Sequence, residues 1–294
     1  MERHICGRRR RGWGLNRRVV SAYYDLTVPE RGATAVMVEV PHAGLAVPDA
    51  VREQLRAGQD DIERDADIYV DKLCADVVGV GATLLSAHVS RYVVDLNRAP
   101  DDVDRETVPD HPSPKAMQPR GVVWRMTTTG APALTRPLTG DELGARLASF
   151  HTPYHLTLEQ ELDRLRQRFG FVILVAAHSM PSMGRASHGD SGSRRADIVP
   201  GTRGRSTADA RVIDEVDVHF RAAGLTVRHD DPYRGGYTTG HYGEPRANIH
   251  AVQIEINRAL YVNEATGQPH DGHFQRLQKL LTELVERLGR LDLR

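Results

Sequence analysis

Two histidines stand directly after apolar segments of the chain. His42 follows the run 35–40 and Pro41, and His178 follows the run 171–177. Short apolar runs are typical of buried strands, and in α/β sheets ligands bind beyond the carboxyl ends of the strands. Neutral imidazole is the commonest protein ligand for metals, and a catalytic zinc takes three protein ligands and one open position. Either histidine alone is more typical of a hydrogen-bonded structural residue, but the pair predicts a metal site.

A carboxylate is the natural third ligand, and one segment offers three of them. Asp65, Asp67 and Asp71 lie in a stretch, 61–78, whose apolar spacing predicts a helix. On a helix, Asp67 and Asp71 share one face because they are four residues apart. Acidic residues near a helix N-terminus are also favoured by the helix dipole without any metal. The spacing alone therefore leaves the third ligand open.

Glu255 is the most anomalous charged residue. It alternates with Val252, Ile254 and Ile256, so one face of the predicted strand is apolar and the other carries Gln253, Glu255 and Asn257. An exposed edge strand would explain this pattern. In a central strand the carboxylate would be buried and would need a partner, such as a metal-bound water or Arg258. That position would suit a general base.

Asp95, Asn97 and Arg98 close a further apolar run, 92–94. The planar fork of arginine binds a carboxylate through two parallel hydrogen bonds, and asparagine can add a donor. Asn97 and Arg98 are therefore candidates for binding an acidic substrate. A structural ion pair between Asp95 and Arg98 is the equally expected alternative.

These residues must be positioned by an alternation of strands and helices. The patterns predict strands at 35–40, 83–87, 92–96, 171–177, 225–229 and 252–256, and helices at 61–78, 152–169, 208–223 and 273–288. Thr152 is the expected N-cap of the second helix, with Pro153 at its first position. The stretches 100–137, 180–207 and 231–243 are expected to be irregular. The alternation predicts a single α/β domain with a mixed, mainly parallel sheet flanked by helices.

Composition is that of an ordinary globular enzyme. Of 294 residues, 40% are apolar and 27% charged, and the formal net charge is zero, so no overall field favours nucleic acid or an anionic membrane. No apolar run is long enough for a transmembrane helix. Cys6 and Cys74 are too few for a disulfide framework or a thiolate metal site, and a reducing cytoplasm is the expected location.

The N-terminus is strongly basic. Arg8–Arg11 are consecutive, and Arg17 and Arg18 follow without the apolar region that a twin-arginine export signal needs. We expect residues 1–30 to be a poorly ordered extension or an over-long start, and residues 31–294 to form the enzyme domain. A nucleic-acid-binding arm is the less favoured interpretation.

Seven motifs together resemble one known family. In chain order they are PHAG (41–44), DIYVDKL (67–73), RYVVDLNRAPDD (91–102), PYH (153–155), AHSMPSMG (177–184), DPYRGGYTTGHYG (231–243) and QIEINRALY (253–261). Their order and approximate spacing resemble the N-formylglutamate amidohydrolase family over about residues 34–290. The resemblance implies a fold similar to that of the zinc carboxypeptidases, and hydrolysis of N-formylglutamate to formate and glutamate in histidine breakdown.

The resemblance also implies roles for individual residues. His42, His178 and Asp67 would bind one zinc ion, with Asp65 as the alternative third ligand, and Glu255 would be the base. Asn97 and Arg98 would hold a substrate carboxylate. For hydrolysis by this chemistry we expect a nearby cation, Arg125 or Arg258, to stabilise the oxyanion together with zinc. A substrate with two carboxylates needs a second cation, for which three residues are candidates: Arg203, Arg205 and Arg234.

Two differences from the family pattern leave the substrate open. Ala43 stands where relatives often have serine, and Ala176–Ala177 precede His178 where a polar residue is common. Such changes next to metal ligands can alter metal affinity by about 10–100-fold. The alternatives are an amidohydrolase or carboxypeptidase acting on another N-acyl amino acid or short peptide, and an inactive relative that only binds. A small-molecule partner is expected, and the oligomeric state is not predicted.

Overall fold

A seven-stranded sheet organises the protein. The computed structural model describes residues 17–115, 119–185 and 189–294. The strand order is β1-β2-β4-β3-β5-β7-β6, and the four strands β4, β3, β5 and β7 are parallel, with antiparallel pairing at both edges. The strands are β1 Arg17–Val20, β2 Tyr24–Val28, β3 Val36–Val40, β4 Thr83–Ala87, β5 Val172–Met180, β6 Ile198–Gly201 and β7 Ile249–Asn257. The predicted fold class is confirmed.

Helices cover both faces of this sheet. The α-helices are α1 Asp49–Arg52, α2 Gln59–Asp65, α3 Val70–Leu73, α4 Gly140–Arg146, α5 Thr152–Phe169, α6 Ala210–Ala222, α7 Tyr237–Tyr242 and α8 His273–Leu288. Short 3₁₀ turns span Ala75–Val80, Pro245–Ala247 and Arg258–Leu260, and the strands β8 Val262–Asn263 and β9 Gln268–Pro269 pair with each other. The predicted helices at 208–223 and 273–288 are confirmed to within two residues. In the part of the chain that the structure describes, no helix is both long and apolar enough to cross a membrane.

The two faces of the sheet differ along the strands. On the face covered by α3, α6 and α8, the residues that point inward are apolar along the whole length of each strand, as are Val252, Ile254 and Ile256 of β7. The face covered by α5 starts with residues such as Leu174 and Ala251, which join an apolar core. Its residues become polar toward the carboxyl ends of the strands. Successive side chains of a strand point to opposite faces, so this change is confined to one side.

Two predicted strands are wrong. Residues 92–96 form turns, in which the backbone N–H of Val93 bonds to the carbonyl of Ser90 and that of Asp95 to the carbonyl of Val122. Tyr92 is fully buried in this irregular segment, which shows why an apolar run alone could not identify a strand. Residues 225–229 contribute one isolated bridge, between Val227 and Ile198. The sheet instead gains β6 from the stretch 180–207, which was expected to be loop.

The predicted helix at 61–78 is broken where the carboxylates lie. α2 ends at Asp65, and α3 begins only at Val70, after Tyr69 takes the left-handed conformation with φ of 64°. The backbone N–H of Asp67 donates to the carbonyl of His42 at 2.9 Å. Asp65 and Asp67 therefore enter different surroundings, and Asp67 is brought next to the end of β3.

The predicted helix at 152–169 is confirmed as α5, but the prediction that Thr152 is its N-cap is wrong. Thr139 and Glu142 form a capping box that begins α4, and a π-helical turn, Leu147–His151, joins α4 to α5. Thr152 therefore lies inside a continuous helical segment. Pro153 lacks a backbone N–H, and it lies two residues after the end of the π turn, where the regular α-helical bonding is already interrupted.

The domain boundary expected at residue 30 lies too far along the chain. β1 and β2 form a hairpin that pairs with β4, with Leu26 opposite Leu85. Leu26 and Val28 are buried in the core, so the hairpin is part of the domain. The basic character of this region concealed the alternation in β2. Residues 1–16, including Arg8–Arg11, lie outside the described part of the chain.

Candidate metal centre and substrate pocket

Three buried side chains converge at the carboxyl ends of β3 and β5. The Nδ1 atoms of His42 and His178 are 3.2 Å apart, and Oδ2 of Asp67 lies 3.0 Å from Nδ1 of His178 and 3.6 Å from Nδ1 of His42. One ligand atom from each residue lies within 4.8 Å of the others. Two imidazoles and one carboxylate are a common donor set for a catalytic zinc with an open position. The residues therefore fit a single metal ion.

The electrostatics of this group reflect close packing of opposite charges. Burial alone would raise the pKa of Asp67, but its hydrogen bonds with His178 and His42 outweigh burial and hold the pKa well below its usual range. Burial likewise disfavours the charged form of His178, yet the bond to Asp67 raises the pKa of that imidazole. Metal binding needs a neutral imidazole and an ionised carboxylate, so a divalent cation at this position would compete with a proton on His178.

Arg258 supports the loop that carries Asp67. Its guanidinium donates to the carbonyls of Arg64 (2.8 Å) and Ala66, and one nitrogen lies 3.4 Å from Oδ1 of Asp67. Arg258 is 6% exposed and also donates to Ser179. The side chain braces the Asp67 loop and is not part of the lining of the cavity in front of the histidines, so its predicted role at the substrate oxyanion does not fit the geometry.

Asp95 orients the first histidine. Nε2 of His42 lies 2.7 Å from Oδ1 of Asp95, whose other oxygen accepts bonds from Arg91 and from the indole of Trp124, each at 3.0 Å. Burial raises the pKa of Asp95, but the charges of His42 and Arg91 outweigh burial and place the pKa well below its usual range. A carboxylate on the second nitrogen of a histidine is a common support for a metal ligand. The alternative ion pair of Asp95 with Arg98 is not formed between these described side chains.

Asn97 performs the equivalent task for the second histidine. Its Nδ2 lies 3.2 Å from Nε2 of His178 and donates to Oε1 of Gln253 at 3.1 Å. Its Oδ1 accepts bonds from the backbone and the hydroxyl of Thr238 at 3.0 and 3.1 Å. Asn97 therefore ties His178 to β7 and to the first turn of α7, and it also borders the cavity where substrate binding was predicted.

Glu255 lies on an interior strand. β7 is flanked by β5 and β6, and Glu255 stands opposite His178 in the register with β5. The side chain is 6% exposed, so the alternative of a solvated edge strand is wrong. Oε1 accepts a hydrogen bond from Gln253 at 2.8 Å. Burial raises the pKa of Glu255, and the negative charge of Asp67 adds to this effect.

A cavity of about 260 Å³ opens in front of these groups. It brings together most of the predicted site, and its polar lining includes His42, Asp67, Arg91, Asp95, Asn97, Arg98, His178, Arg234, Gln253 and Glu255. A larger cavity of about 590 Å³ lies behind the Asp67 loop, but it contains neither histidine nor Glu255. The chemistry therefore belongs to the smaller cavity.

Two further predicted residues lie elsewhere. Arg125 pairs with Asp104 at 3.4 Å and Glu106 at 3.1 Å, away from the cavity lining, so its proposed contact with the oxyanion does not fit. Asp65, the alternative third ligand, accepts hydrogen bonds from Tyr92, Thr128 and Arg185. These bonds point it away from the two histidines.

Arg91 and Gln253 are site residues that the sequence reasoning missed. Arg91 lines the cavity, stacks on Trp124 at 4.4 Å and lies 3.9 Å from Oδ1 of Asp67. Gln253 connects Asn97 to Glu255. A signal existed for both, because Arg91 begins the motif that contains Asp95, and Gln253 shares the polar face of β7 with Glu255.

A buried His–Asp–His group beside a strand glutamate, at the carboxyl ends of parallel strands, is an arrangement typical of hydrolases that could use a metal ion. The model of the N-formylglutamate amidohydrolase family matches residues 34–262. The chain belongs to this family.

Individual relatives agree with this assignment. N-formylglutamate deformylases of Pseudomonas putida and Pseudomonas aeruginosa are 33% and 32% identical, over 80% of this chain and 84% and 85% of theirs. The crystal structure of an N-formylglutamate amidohydrolase from Ralstonia eutropha is similar with a TM-score of 0.83 and 32% identity, covering 92% of this chain and 97% of that one. A gene product of Agrobacterium tumefaciens, 21% identical with a TM-score of 0.66 over 91% and 94% of the chains, shares the fold.

Proposed function

We propose that the protein hydrolyses N-formylglutamate to formate and glutamate, with one zinc ion held by His42, Asp67 and His178. The observation that carries the proposal is the buried His–Asp–His group, with Glu255 opposite His178 in the same cavity. The names of the Pseudomonas and Ralstonia relatives support the substrate. When bound, zinc supplies Lewis acidity, which polarises a carbonyl group and makes water more acidic.

Glu255 is the general base in this proposal. It accepts a proton from the attacking water, whose oxygen adds to the formyl carbon. It then returns the proton to the amide nitrogen as the carbon–nitrogen bond breaks, so that glutamate leaves as an amine. Burial, which raises the pKa of the carboxyl group, favours both halves of this transfer. Gln253 holds one oxygen of Glu255 and leaves the other for the water.

Arg91 and Arg98 supply positive charge to the substrate. Arg91 borders the cavity next to Asp67, so it takes over the stabilisation of the oxyanion that was assigned to Arg125 or Arg258. Arg98 is 40% exposed, and the nearest carboxylate, that of Asp102, is 3.7 Å away. Its guanidinium is available to bind the α-carboxylate of the substrate through two hydrogen bonds.

Metal analysis and formate release test the proposal together. Purified protein should contain about one zinc per chain, and it should release formate from N-formylglutamate. A chelator should abolish this activity, and added zinc should restore it. His178→Ala should lose both metal and activity. Full activity in the metal-stripped protein would contradict the mechanism, and a preference for acetyl or succinyl amino acids would identify a related amidohydrolase instead.

A further inference from the structure

The cavity is lined by a third arginine, whose charge the proposed reaction does not use. Arg234 lines it together with Arg98, and its side chain is exposed. No carboxylate of the described residues lies within ion-pair distance of its guanidinium. Of the other two candidates, Arg205 pairs with Asp214 at 2.7 Å, and Arg203 donates to the carbonyl of Gly235. Arg234 is therefore the candidate that combines a place at the cavity with an uncompensated charge.

The backbone holds the Arg234 loop firmly against the site. The carbonyl of Arg234 accepts a bond from the backbone N–H of Arg203 at 2.9 Å, and the N–H of Gly236 donates to Gln253 at 2.8 Å. A Cβ at Gly236 would lie 2.3 Å from the side chain of Asn97, and Gly235 has φ of 95°. Only glycines at these positions allow the loop to lie directly on Asn97.

This packing places both arginines around one residue. Arg98 follows Asn97 in the chain, and Arg234 lies two residues from the glycine that touches the Asn97 side chain. Asn97 also contacts His178. A substrate whose formyl group is at the histidines can therefore present two carboxylates to the wall that Asn97 forms. The carboxylates of glutamate are separated by a short carbon chain, as this arrangement requires.

We propose that Arg234 binds the side-chain carboxylate of the substrate and so selects N-acyl derivatives of acidic amino acids over neutral ones. This inference rests on the proposed function, because Arg98 must bind the α-carboxylate. Arg234 is a specificity-determining residue and takes no part in proton transfer. Its guanidinium forms a stronger hydrogen bond with an ionised carboxylate than with the neutral amide of a side chain such as glutamine.

The test compares two substrates that differ in one charge. N-formylglutamate and N-formylglutamine have nearly the same shape, so the ratio of their kcat/KM values measures recognition of the side-chain carboxylate. The zinc-loaded wild type should prefer N-formylglutamate by at least about tenfold. Arg234→Gln should bring this ratio close to one. Arg98→Gln should lower both values and leave the ratio unchanged, whereas Arg205→Gln, on the surface, should change neither.

Several results would overturn the inference. One is a ratio that Arg234→Gln leaves intact; another is a ratio that Arg98→Gln abolishes. Arg120→Gln is a useful comparison because the guanidinium of Arg120 lies over the ring of Trp124, 5.8 Å from its centre, and Trp124 donates to Asp95 at the site. If that variant alone removes the preference, the second carboxylate binds elsewhere.

Calorimetry separates this inference from the proposed function. The dissociation constants of the same two compounds give the ratio even in a protein that hydrolyses neither, and Glu255→Gln provides such a protein. The wild type could bind N-formylglutamate more tightly than N-formylglutamine, lose this preference in Arg234→Gln, and yet hydrolyse neither compound. That result would reject the enzymatic function and keep the inference. Equal binding of both compounds by the wild type, or binding of neither, would reject the inference.

Discussion

The two faces of β7 are both buried, but they are built in different ways. Ile254 and Ile256 pack into an apolar core, where each side chain contributes through the area it removes from water. Gln253 and Glu255, the alternate residues, are equally buried and depend on specific partners. The same contrast holds at Glu39 on β3, a fully buried carboxylate that accepts a bond from Tyr154. The apolar face therefore stabilises the sheet, whereas the polar face carries buried side chains that belong to the candidate site.

The largest effect should come from Glu255→Gln. The amide keeps the size and polarity of the side chain but cannot accept the proton, so kcat should fall by about 100-fold or more. Zinc content and the free energy of unfolding should change little. The matched variant is Ile254→Val on the opposite face, which should cost about 0.5–1.5 kcal/mol of stability and leave kcat nearly unchanged.

Steady-state kinetics, metal analysis and urea unfolding of Glu255→Gln and Ile254→Val test whether the two faces of β7 have these different roles. If Glu255→Gln loses zinc while it remains folded, the glutamate is a metal ligand and the proposed base is wrong. If Ile254→Val reduces kcat as strongly as Glu255→Gln does, the two faces of β7 do not have separate roles in stability and catalysis.

An intermediate effect is expected for Asp95→Asn. The amide can no longer provide a charged acceptor to Nε2 of His42, so zinc affinity should fall by about 10–100-fold. Competition with a zinc indicator measures this change, and activity should recover when excess zinc is supplied. A variant with unchanged zinc affinity would mean that the Asp95–His42 contact does not support the metal site.

The smallest effect concerns pH. His155 is buried on the polar side of the sheet, with its ring nitrogens 2.9 Å from the Tyr242 hydroxyl and the carbonyl of Leu96. Burial, with the positive charge of His151, lowers the pKa of His155 from 6.5 to about 3. Between these values the unfolded chain binds the proton and the folded protein does not, so stability falls as pH drops from 6.5 toward 3.

His155→Gln removes this contribution while it keeps a donor and an acceptor. The slope of unfolding free energy against pH should be smaller in the variant, by at most about 1.4 kcal/mol per pH unit. Urea unfolding of both proteins at several pH values between 4 and 6.5 measures the difference between the two slopes. The carboxylates contribute equally to both slopes, so their contribution cancels in this difference. Equal slopes would show that His155 is protonated in the folded protein.

The sequence allowed the site to be predicted where a residue contradicted its neighbours. His42, His178 and Glu255 were identifiable because each is polar at the end of, or within, an apolar run. Asp67 could not be separated from Asp65 by spacing, because the choice depends on the break before Tyr69. This break is stabilised by a bond to the distant His42, and local propensity does not encode it.

Other features depended on contacts far apart in the chain. The roles of Arg125 and Arg258 could not be judged from the sequence, because their partners come from other segments. The same limit applies to Arg234, whose position at the cavity follows from the contact of Gly236 with Asn97. The hairpin β1–β2 was missed because its basic residues outweighed the pattern of Leu26 and Val28.

The π turn between α4 and α5 has a consequence for the tolerance of this helix to deletions. Arg146 before the turn donates to the carbonyls of Tyr92 and Val93, and His151 and His155 lie near the carbonyls of Arg98 and Leu96. In a regular α-helix, residues five apart diverge by about 140° around the axis. The wider winding of the π turn brings Arg146 and His151 onto one side of the helix. There both side chains contact backbone carbonyls of the segment that carries Asn97 and Arg98. Loss of a single residue within 147–150 would restore regular winding and leave Arg146 and His151 four residues apart, still on one face of the helix. The helix should therefore tolerate such a deletion, whereas an added residue there would rotate one of the two side chains away from this backbone.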